Sequence, residues 1–165
     1  MSSVTPAIIS RLLDEHADRL ELYAIQWSDS PEDIVQEAFI KLAQQKELPR
    51  QPVSWLYRVV RNRAISSARS HRSRKKHESD YVNHTRAWFE ENPGSQLDAQ
   101  TVAEALQNIP EEEREVIVAH IWGGLTFEQI AEITGTTSST AHRYYQSGLK
   151  ALKNLLDLSW KTKNK

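Results

Sequence analysis

The side chains with the clearest chemical character in this 165-residue sequence are basic ones between residues 48 and 77. Positive charge without compensation over about one helix attracts phosphate groups and is typical of nucleic-acid-binding proteins. The alternative is a solvated basic surface without a partner, because a charge run by itself is a weak signal. The segment contains no aspartate or glutamate, and its basic residues are Arg50, Arg58, Arg61, Arg63, Arg69, Arg72, Arg74, Lys75 and Lys76.

A second set of polar side chains belongs to a predicted helix-turn-helix within residues 125–156. Thr126 and Gln129 have the spacing of a capping box, which begins a short helix that Gly135 ends. The turn is Thr136-Thr137. A longer helix follows, and its apolar stripe repeats at spacings of four and three residues through Ala141, Tyr145, Gly148, Leu152 and Leu155.

The outward face of that longer helix suits DNA recognition in a major groove. Arginine pairs with guanine, glutamine pairs with adenine, and serine or lysine binds phosphates. An ordinary helical hairpin with a solvated face is the alternative, and a lone exposed histidine is more often solvated than a base contact. The outward side chains are Ser139, His142, Arg143, Gln146, Lys150 and Lys153.

The net charge of −1 conceals these features. Residues 1–47 carry −5, residues 48–77 carry +9, residues 78–115 carry −8 and residues 116–165 carry +3. Local potentials are therefore large although the total nearly vanishes. The alternation predicts separate surfaces for different partners.

Other kinds of chemistry find little support in the sequence. Without cysteine, disulfides, thiolate metal sites and a cysteine nucleophile are excluded. The six histidines lack metal-ligand spacing, and no phosphate-cradling glycine loop or nucleophile elbow is present. We therefore predict no catalytic residue, no metal and no cofactor. Without a signal sequence or a membrane-length apolar stretch, we expect a cytoplasmic protein that does not insert into membranes.

The elements that position these residues are predicted to be helices. Eleven glycines and prolines in total are few for this length. Residues 7–27 form an amphipathic pattern, Ser30-Pro31 begins a second helix, and a third runs from Val53 into the basic segment. The apolar side of the first is expected to contain Ile9, Leu13, Leu20, Tyr23 and Trp27.

The remaining chain is predicted to hold a linker and a second helical domain. Residues 77–99 are polar and acidic, with some helix expected around Trp88. Helices are expected from Leu97 to Asn108 and from Glu111 to Trp122, the latter with Ile121 facing inward. The fold class is all-α, with two small helical domains at residues 1–76 and 100–160 joined by a flexible linker.

Two blocks of sequence carry a family resemblance. SPEDIVQEAF at 30–39 with WLYRVVRN at 55–62, and IPEEEREVI at 109–117 with GLTFEQIAE at 124–132, resemble regions 2 and 4 of the extracytoplasmic-function sigma factors of bacterial RNA polymerase. The resemblance implies a region 2 bundle of three to four helices and a region 4 helix-turn-helix. It also implies a factor that joins the polymerase core, melts the minus 10 promoter element and recognises the minus 35 element.

The resemblance assigns roles residue by residue. Polymerase binding falls on Asp33, Gln36 and Glu37, whose acidic face suits a basic clamp. Minus 10 binding falls on Arg58, Arg61, Asn62, Arg63, Arg69 and Arg72, where positive charge retains the displaced strand. Minus 35 binding falls on Ser138, Ser139, Thr140, His142, Arg143, Gln146 and Lys150. The partners implied are the polymerase core, promoter DNA and, as often in this family, an anti-sigma factor.

Some residues depart from the family pattern or need separate weighing. Ser66 stands where aspartate is common, and Tyr145 stands where leucine is usual. Trp55, beside Leu56, is expected in the core rather than on a melted base. The departures mean that a relative's promoter sequence does not transfer to this chain.

Two other functions compete with this interpretation. One is a helix-turn-helix regulator that does not bind polymerase, although the first 76 residues offer no evident ligand pocket. The other is a helical nuclease that uses Glu32, Asp33 and Glu37 around a metal. The favourable effect of negative charge at a helix start already explains Glu32 and Asp33.

Overall fold

The structure is a computed structural model that describes residues 2–72 and 99–164. Its regular structure in these residues is helical and contains no strand, which confirms the predicted all-α class. The chain divides into two compact units, Met1–Lys76 and His77–Lys165. The predicted linker lies outside the described residues except at its last position, and so does the helix expected around Trp88.

The first unit is a bundle of three helices, α1 (Pro6–Ala24), α2 (Pro31–Ala43) and α3 (Pro52–Arg72). Each begins at a proline, which suits the first helical position because proline has no N–H to leave unpaired. Each helix packs against the other two. Burial of a large apolar side chain stabilises the fold by about 1.5–3 kcal/mol. The core contains Leu12, Leu20, Tyr23, Ile34, Val35, Phe39, Leu42, Leu56, Tyr57 and Val60.

One local prediction for this unit is wrong. Leu13 is 43% exposed, and Leu12 occupies the core instead. Neighbouring helical positions differ by about 100° around the axis, and Leu12 shares the side of Tyr23, eleven residues later. Ser30 precedes α2, but its side chain forms no capping hydrogen bond. Its N–H instead donates to Oγ of Ser28 at 3.0 Å.

The second unit is arranged around one long helix. It contains α4 (Ala99–Gln107), α5 (Glu111–Ile117), a π-helical turn (Val118–Trp122), α6 (Phe127–Thr134) and α7 (Ser138–Lys163). Helix α7 packs against α4, α5 and α6. The buried side chains include Leu106, Ile109, Val116, Ile117, Val118, Leu125, Ile130, Ile133, Ala141 and Leu152.

The π-helical turn changes which side chains of this segment are buried. The N–H of Gly123 donates to the carbonyl of Val118, five residues earlier, at 3.1 Å. The wider turn rotates the residues that follow relative to a regular α-helix. Ile121 is consequently 47% exposed, so the predicted inward position of Ile121 is wrong.

The predicted helix-turn-helix is present as α6 and α7. Oγ1 of Thr126 accepts from the N–H of Gln129 at 3.2 Å, and Oε1 of Gln129 accepts from the N–H of Thr126 at 2.9 Å. This reciprocal pair confirms the capping box. Gly135 ends α6 with φ of 73°, a left-handed conformation that glycine adopts without steric cost. Thr137 then caps α7.

Candidate nucleic-acid and protein interfaces

One face of α3 gathers most of the predicted minus 10 residues. Because an α-helix has about 3.6 residues per turn, positions three, four and eleven residues apart lie on the same side. Arg58, Asn62 and Arg69 are exposed on this side and Arg61 is half-buried there. We call these four residues the basic face. Arg72 belongs to the last turn of α3, but its side chain is outside the described part, as are Arg74, Lys75 and Lys76.

Arg63 is turned away from the basic face. It follows Asn62 by one residue, which rotates it by about 100° toward α2. Its Nε donates to Oε2 of Glu37 at 2.7 Å, and the side chains of Arg63 and Glu37 are 43% and 45% exposed. This hydrogen bond, and then the charge of Glu37, raise the pKa of Arg63. A residue predicted to bind DNA therefore contacts one predicted to bind polymerase.

The outer face of α2 holds the predicted polymerase residues. Asp33 and Gln36 are exposed, and Glu37 lies on the same side of the helix. Ile40 is 50% exposed three residues after Glu37 and four after Gln36, so it shares that side. These four residues form the docking face. Ile40 was not among the residues predicted from the sequence, although its spacing from Gln36 and Glu37 identifies it as an outward position.

The two aromatic residues near the start of α3 have different environments. Tyr57 is fully buried, its ring centroid lies 5.0 Å from that of Tyr23, and burial raises the pKa of its hydroxyl. Tyr57 is therefore unable to stack on a base in this structure. Trp55 is only half-buried, so it is not the core residue that we expected. It precedes Arg58 by three residues and lies on the side of the basic face.

The outward face of α7 carries a second polar stripe. Ser139, Arg143, Gln146 and Lys150 are exposed at spacings of four, three and four residues. They lie on the side of the helix opposite the buried Ala141, Gly148 and Leu152. We call these four exposed residues the reading face.

Ser138 and Thr140 flank this stripe and are half-buried. Oγ1 of Thr137 accepts a hydrogen bond from the N–H of Thr140 at 3.2 Å and donates one to Oγ1 of Thr140 at 3.0 Å. These bonds make Thr140 part of the cap of α7. Behind the reading face, Oγ of Ser147 donates to Oε1 of Glu113 at 2.7 Å and ties α7 to α5.

His142 is exposed but also belongs to a ring cluster. Its ring meets that of Phe127 edge to face, with centroids 5.0 Å apart. Phe127 stacks on His120 at 4.4 Å, and His120 meets Tyr145 at 4.8 Å. Nδ1 of His120 donates to the carbonyl of Leu125 at 2.8 Å. The cluster fixes the start of α6 against α7, which the apolar pattern alone did not reveal.

Within the parts of the chain that the structure covers, no three histidine or acidic side chains form a group able to hold a metal ion. The three carboxylates of the nuclease hypothesis are included in that search, and Glu37 binds Arg63. No helix in the described ranges has the length and apolar character needed to cross a membrane.

Comparison with known proteins gives the family. Residues 11–74 match the family described as Sigma-70 region 2, and residues 99–152 match Sigma-70, region 4. The ECF RNA polymerase sigma factor SigL of Mycobacterium tuberculosis is 30% identical over 155 residues, or 89% of this chain and 88% of SigL. RNA polymerase sigma factor SigV of Bacillus subtilis is 24% identical over 155 residues, covering 90% of this chain and 91% of SigV.

A solved structure shares the fold. The sigma factor RpoE, in complex with the anti-sigma factor NepR from Bartonella quintana, is similar to this chain with a TM-score of 0.69 and 24% identity. The likeness covers 90% of this chain and 96% of RpoE. The chain belongs to the extracytoplasmic-function sigma factors of the sigma-70 family, which direct bacterial RNA polymerase to promoters and start transcription there.

Proposed function

We propose that three helices of this sigma factor bind three different targets. The docking face of α2 binds the polymerase core, the basic face of α3 holds the melted minus 10 strand, and the reading face of α7 recognises the minus 35 element. The observation that carries the proposal is the separation of acidic and basic side chains onto different faces of α2 and α3.

The docking face has the composition of a protein interface. Asp33 and Glu37 supply negative charge for a basic clamp surface, and Gln36 supplies hydrogen bonds. Ile40, 50% exposed on the same side, supplies apolar area that water solvates poorly. Charge complementarity of this kind speeds encounter and fixes orientation, while buried apolar contact contributes to affinity.

The basic face suits a single strand better than a duplex. Arg58, Arg61 and Arg69 attract phosphates, and the amide of Asn62 can hydrogen-bond the edge of an unstacked base. The half-buried ring of Trp55 lies on the same side and suits stacking on such a base. Preferential binding of the open strand supplies free energy for melting. Arg72 extends the set toward the carboxyl end of α3.

The reading face suits direct contact with base edges. Arg143 and Gln146 have the side chains that read guanine and adenine in a major groove, while Ser139 and Lys150 suit phosphates. Ser138 and Thr140 act at the amino end of α7, where N–H groups and the helix dipole favour a phosphate. His142 binds at the edge of the interface, with its ring held by Phe127.

We further propose that the chain catalyses no reaction itself and acts in the cytoplasm with the polymerase. RNA synthesis belongs to the core enzyme. An anti-sigma factor is a proposed partner, supported by the RpoE and NepR complex, in which a protein of this fold binds one.

The test is transcription in a defined system. Core polymerase reconstituted with the full chain should start transcripts at specific sites on genomic fragments, and start-site mapping should reveal common elements near minus 10 and minus 35. Core polymerase alone provides the background. Start sites identical to that background would refute the proposal, and DNA binding without core binding would favour the regulator alternative.

The docking face has its own test. Replacing Asp33 and Glu37 together by lysine should abolish core binding, because both charges then repel a basic clamp. The matched control replaces Asp14 and Glu47, two other exposed carboxylates, by lysine. Equal core affinity of the two double variants would show that the docking face of α2 does not bind polymerase.

A further inference from the structure

A side-chain contact joins helix α3 to the docking face of α2. Arg63 on α3 and Glu37 on α2 are 26 residues apart in sequence, and Nε of Arg63 lies 2.7 Å from Oε2 of Glu37. A charge-assisted bond of this length is among the stronger kinds of hydrogen bond. Because both side chains remain more than 40% exposed, the pair adds little to folding stability. The effect of the pair that matters here is therefore the orientation it gives to the Glu37 carboxylate.

The bond leaves Glu37 able to bind a partner. A carboxylate has about four lone-pair sites on its two oxygens, and Arg63 occupies one of them through Oε2. Since the side chain of Glu37 is 45% exposed, the carboxylate can still meet a partner. A free glutamate samples several rotamers and loses that freedom when it binds. The bond to Arg63 removes part of that loss in advance.

The same bond takes Arg63 out of the DNA-binding set. The guanidinium of Arg63 points toward α2, while Arg58, Asn62 and Arg69 point about 100–140° away around α3. A strand that follows the basic face would have to break the bond to Glu37 in order to reach Arg63. Arg58 and Arg69 on the basic face supply positive charge without breaking that bond.

We infer that Arg63 is a positioning residue for polymerase binding, which holds the Glu37 carboxylate in the orientation that the core recognises, rather than a minus 10 DNA contact. This inference rests on the proposed role of the docking face. The chemistry expected of the partner is a basic surface that donates hydrogen bonds to the remaining sites of Glu37.

Net charge alone predicts the opposite effect of Arg63 on core-binding affinity. Arg63 places a positive charge beside Glu37, which would repel a basic partner, so its removal should strengthen core binding if charge alone matters. If orientation matters more, its removal should weaken core binding. The variant Arg63→Gln therefore decides between the two effects.

The experiment uses the full chain with a fluorescent label, titrated with core polymerase. Arg63→Gln should weaken core binding about three- to tenfold, the cost of ordering one flexible side chain on binding. Arg63→Lys should recover part of the loss, since an ammonium group can still hold the carboxylate. Arg58→Gln is the matched control, and it should leave core affinity unchanged while lowering the affinity of the holoenzyme for single-stranded oligothymidine. An unchanged or higher core affinity for Arg63→Gln would overturn the inference, as would a loss of oligothymidine affinity equal to that of Arg58→Gln.

A charge swap separates positioning from a structural role. The double variant Glu37→Arg with Arg63→Glu restores an ion pair between α2 and α3, so thermal unfolding should match the wild type. Core binding should stay weak, because the carboxylate now extends from α3. Recovery of core binding in the swap would show that the pair only supports the fold. If the wild-type chain itself fails to bind core, the proposed function fails, and that result is distinct from any change caused by Arg63→Gln.

Discussion

The backbone of Gly148 on α7 lies against the side chain of Ile117 on α5. A Cβ atom at position 148 would stand 2.7 Å from Cδ1 of Ile117 and 3.0 Å from Cβ of Glu113. Both distances are shorter than normal van der Waals contact, so a side chain at position 148 would force Ile117 to shift or the two helices to move apart. This contact fixes the position of α7 against α5. It thereby fixes the position of the reading face within the second unit.

Replacing Gly148 by alanine should destabilise the second unit. Alanine favours a helix by about 1 kcal/mol over glycine, but overpacking costs about 1–3 kcal/mol, so we expect a net loss near 1 kcal/mol. Thermal unfolding followed by circular dichroism measures the change. In an Ile117→Val background, which lacks Cδ1, the same substitution should cost less. An equal cost in both backgrounds would mean that Glu113 alone limits the fit.

Loss of the α7 cap should loosen the start of α7, the helix that carries the reading face. Thr137→Ala removes the acceptor of the Thr140 N–H and should cost about 1 kcal/mol, while Thr137→Ser retains the hydroxyl and should cost much less. Hydrogen exchange at the Thr140 amide provides the local measurement. Equal protection of that amide in the alanine and serine variants would contradict the capping role.

The proposed base-reading role of Arg143 predicts a change of specificity rather than of affinity alone. Arg143→Ala should relax the preference at one position of the minus 35 element by about 1–3 kcal/mol. Lys150→Ala, the control, should weaken binding to all sequences about equally and lower the salt dependence. Binding of a randomised minus 35 library by the holoenzyme measures both. A preference unaltered by Arg143→Ala would exclude that residue as a reader.

The first unit should gain stability when Glu21 loses its charge. Burial raises the pKa of Glu21, and the charges of Glu32 and Asp18 raise it further. The folded state thus favours the protonated form, and stability is lost as pH rises through the pKa of the folded protein. Glu21→Gln should therefore raise the melting temperature at pH 7, and the gain should disappear below about pH 4.5, the ordinary value for this group.

The exposed Glu47 gives the control for this measurement. Glu47→Gln removes the same charge from an exposed side chain, so the melting temperature should change little across the same pH range. Melting curves of both variants between pH 4 and pH 8 measure how each change in melting temperature depends on pH. A gain for Glu21→Gln that persists undiminished at the acidic end would contradict a raised pKa of Glu21 in the folded state.

Local sequence signals predicted much of the fold correctly. The proline at the start of α2 and the spacing of Thr126 and Gln129 give helix starts that the structure confirms within a residue or two. Gly135 marks the end of α6 because the chain there adopts a left-handed conformation, which residues with a Cβ atom rarely adopt. These signals act over four residues or fewer, so the sequence contains all the information that they require.

Predictions failed where a helix departed from ideal spacing or where two helices met. Ile121 was predicted inward from an α-helical period, but the π-helical turn rotates it outward. Leu12 and Leu13 are equally apolar, and only the seating of α1 against α2 and α3 selects Leu12 for the core. Ile40 on the docking face and the ring cluster around Phe127 were likewise not predicted.

The sequence by itself determined the helical class, the helix-turn-helix and the opposed charges of its segments, because periodicity, caps and charge are local properties. Only the tertiary structure decided that Arg63 pairs with Glu37 and that Gly148 admits Ile117. Such contacts depend on the rotation of each helix about its axis and on the distance between helices. Both quantities result from packing the whole core, and no short stretch of sequence contains them.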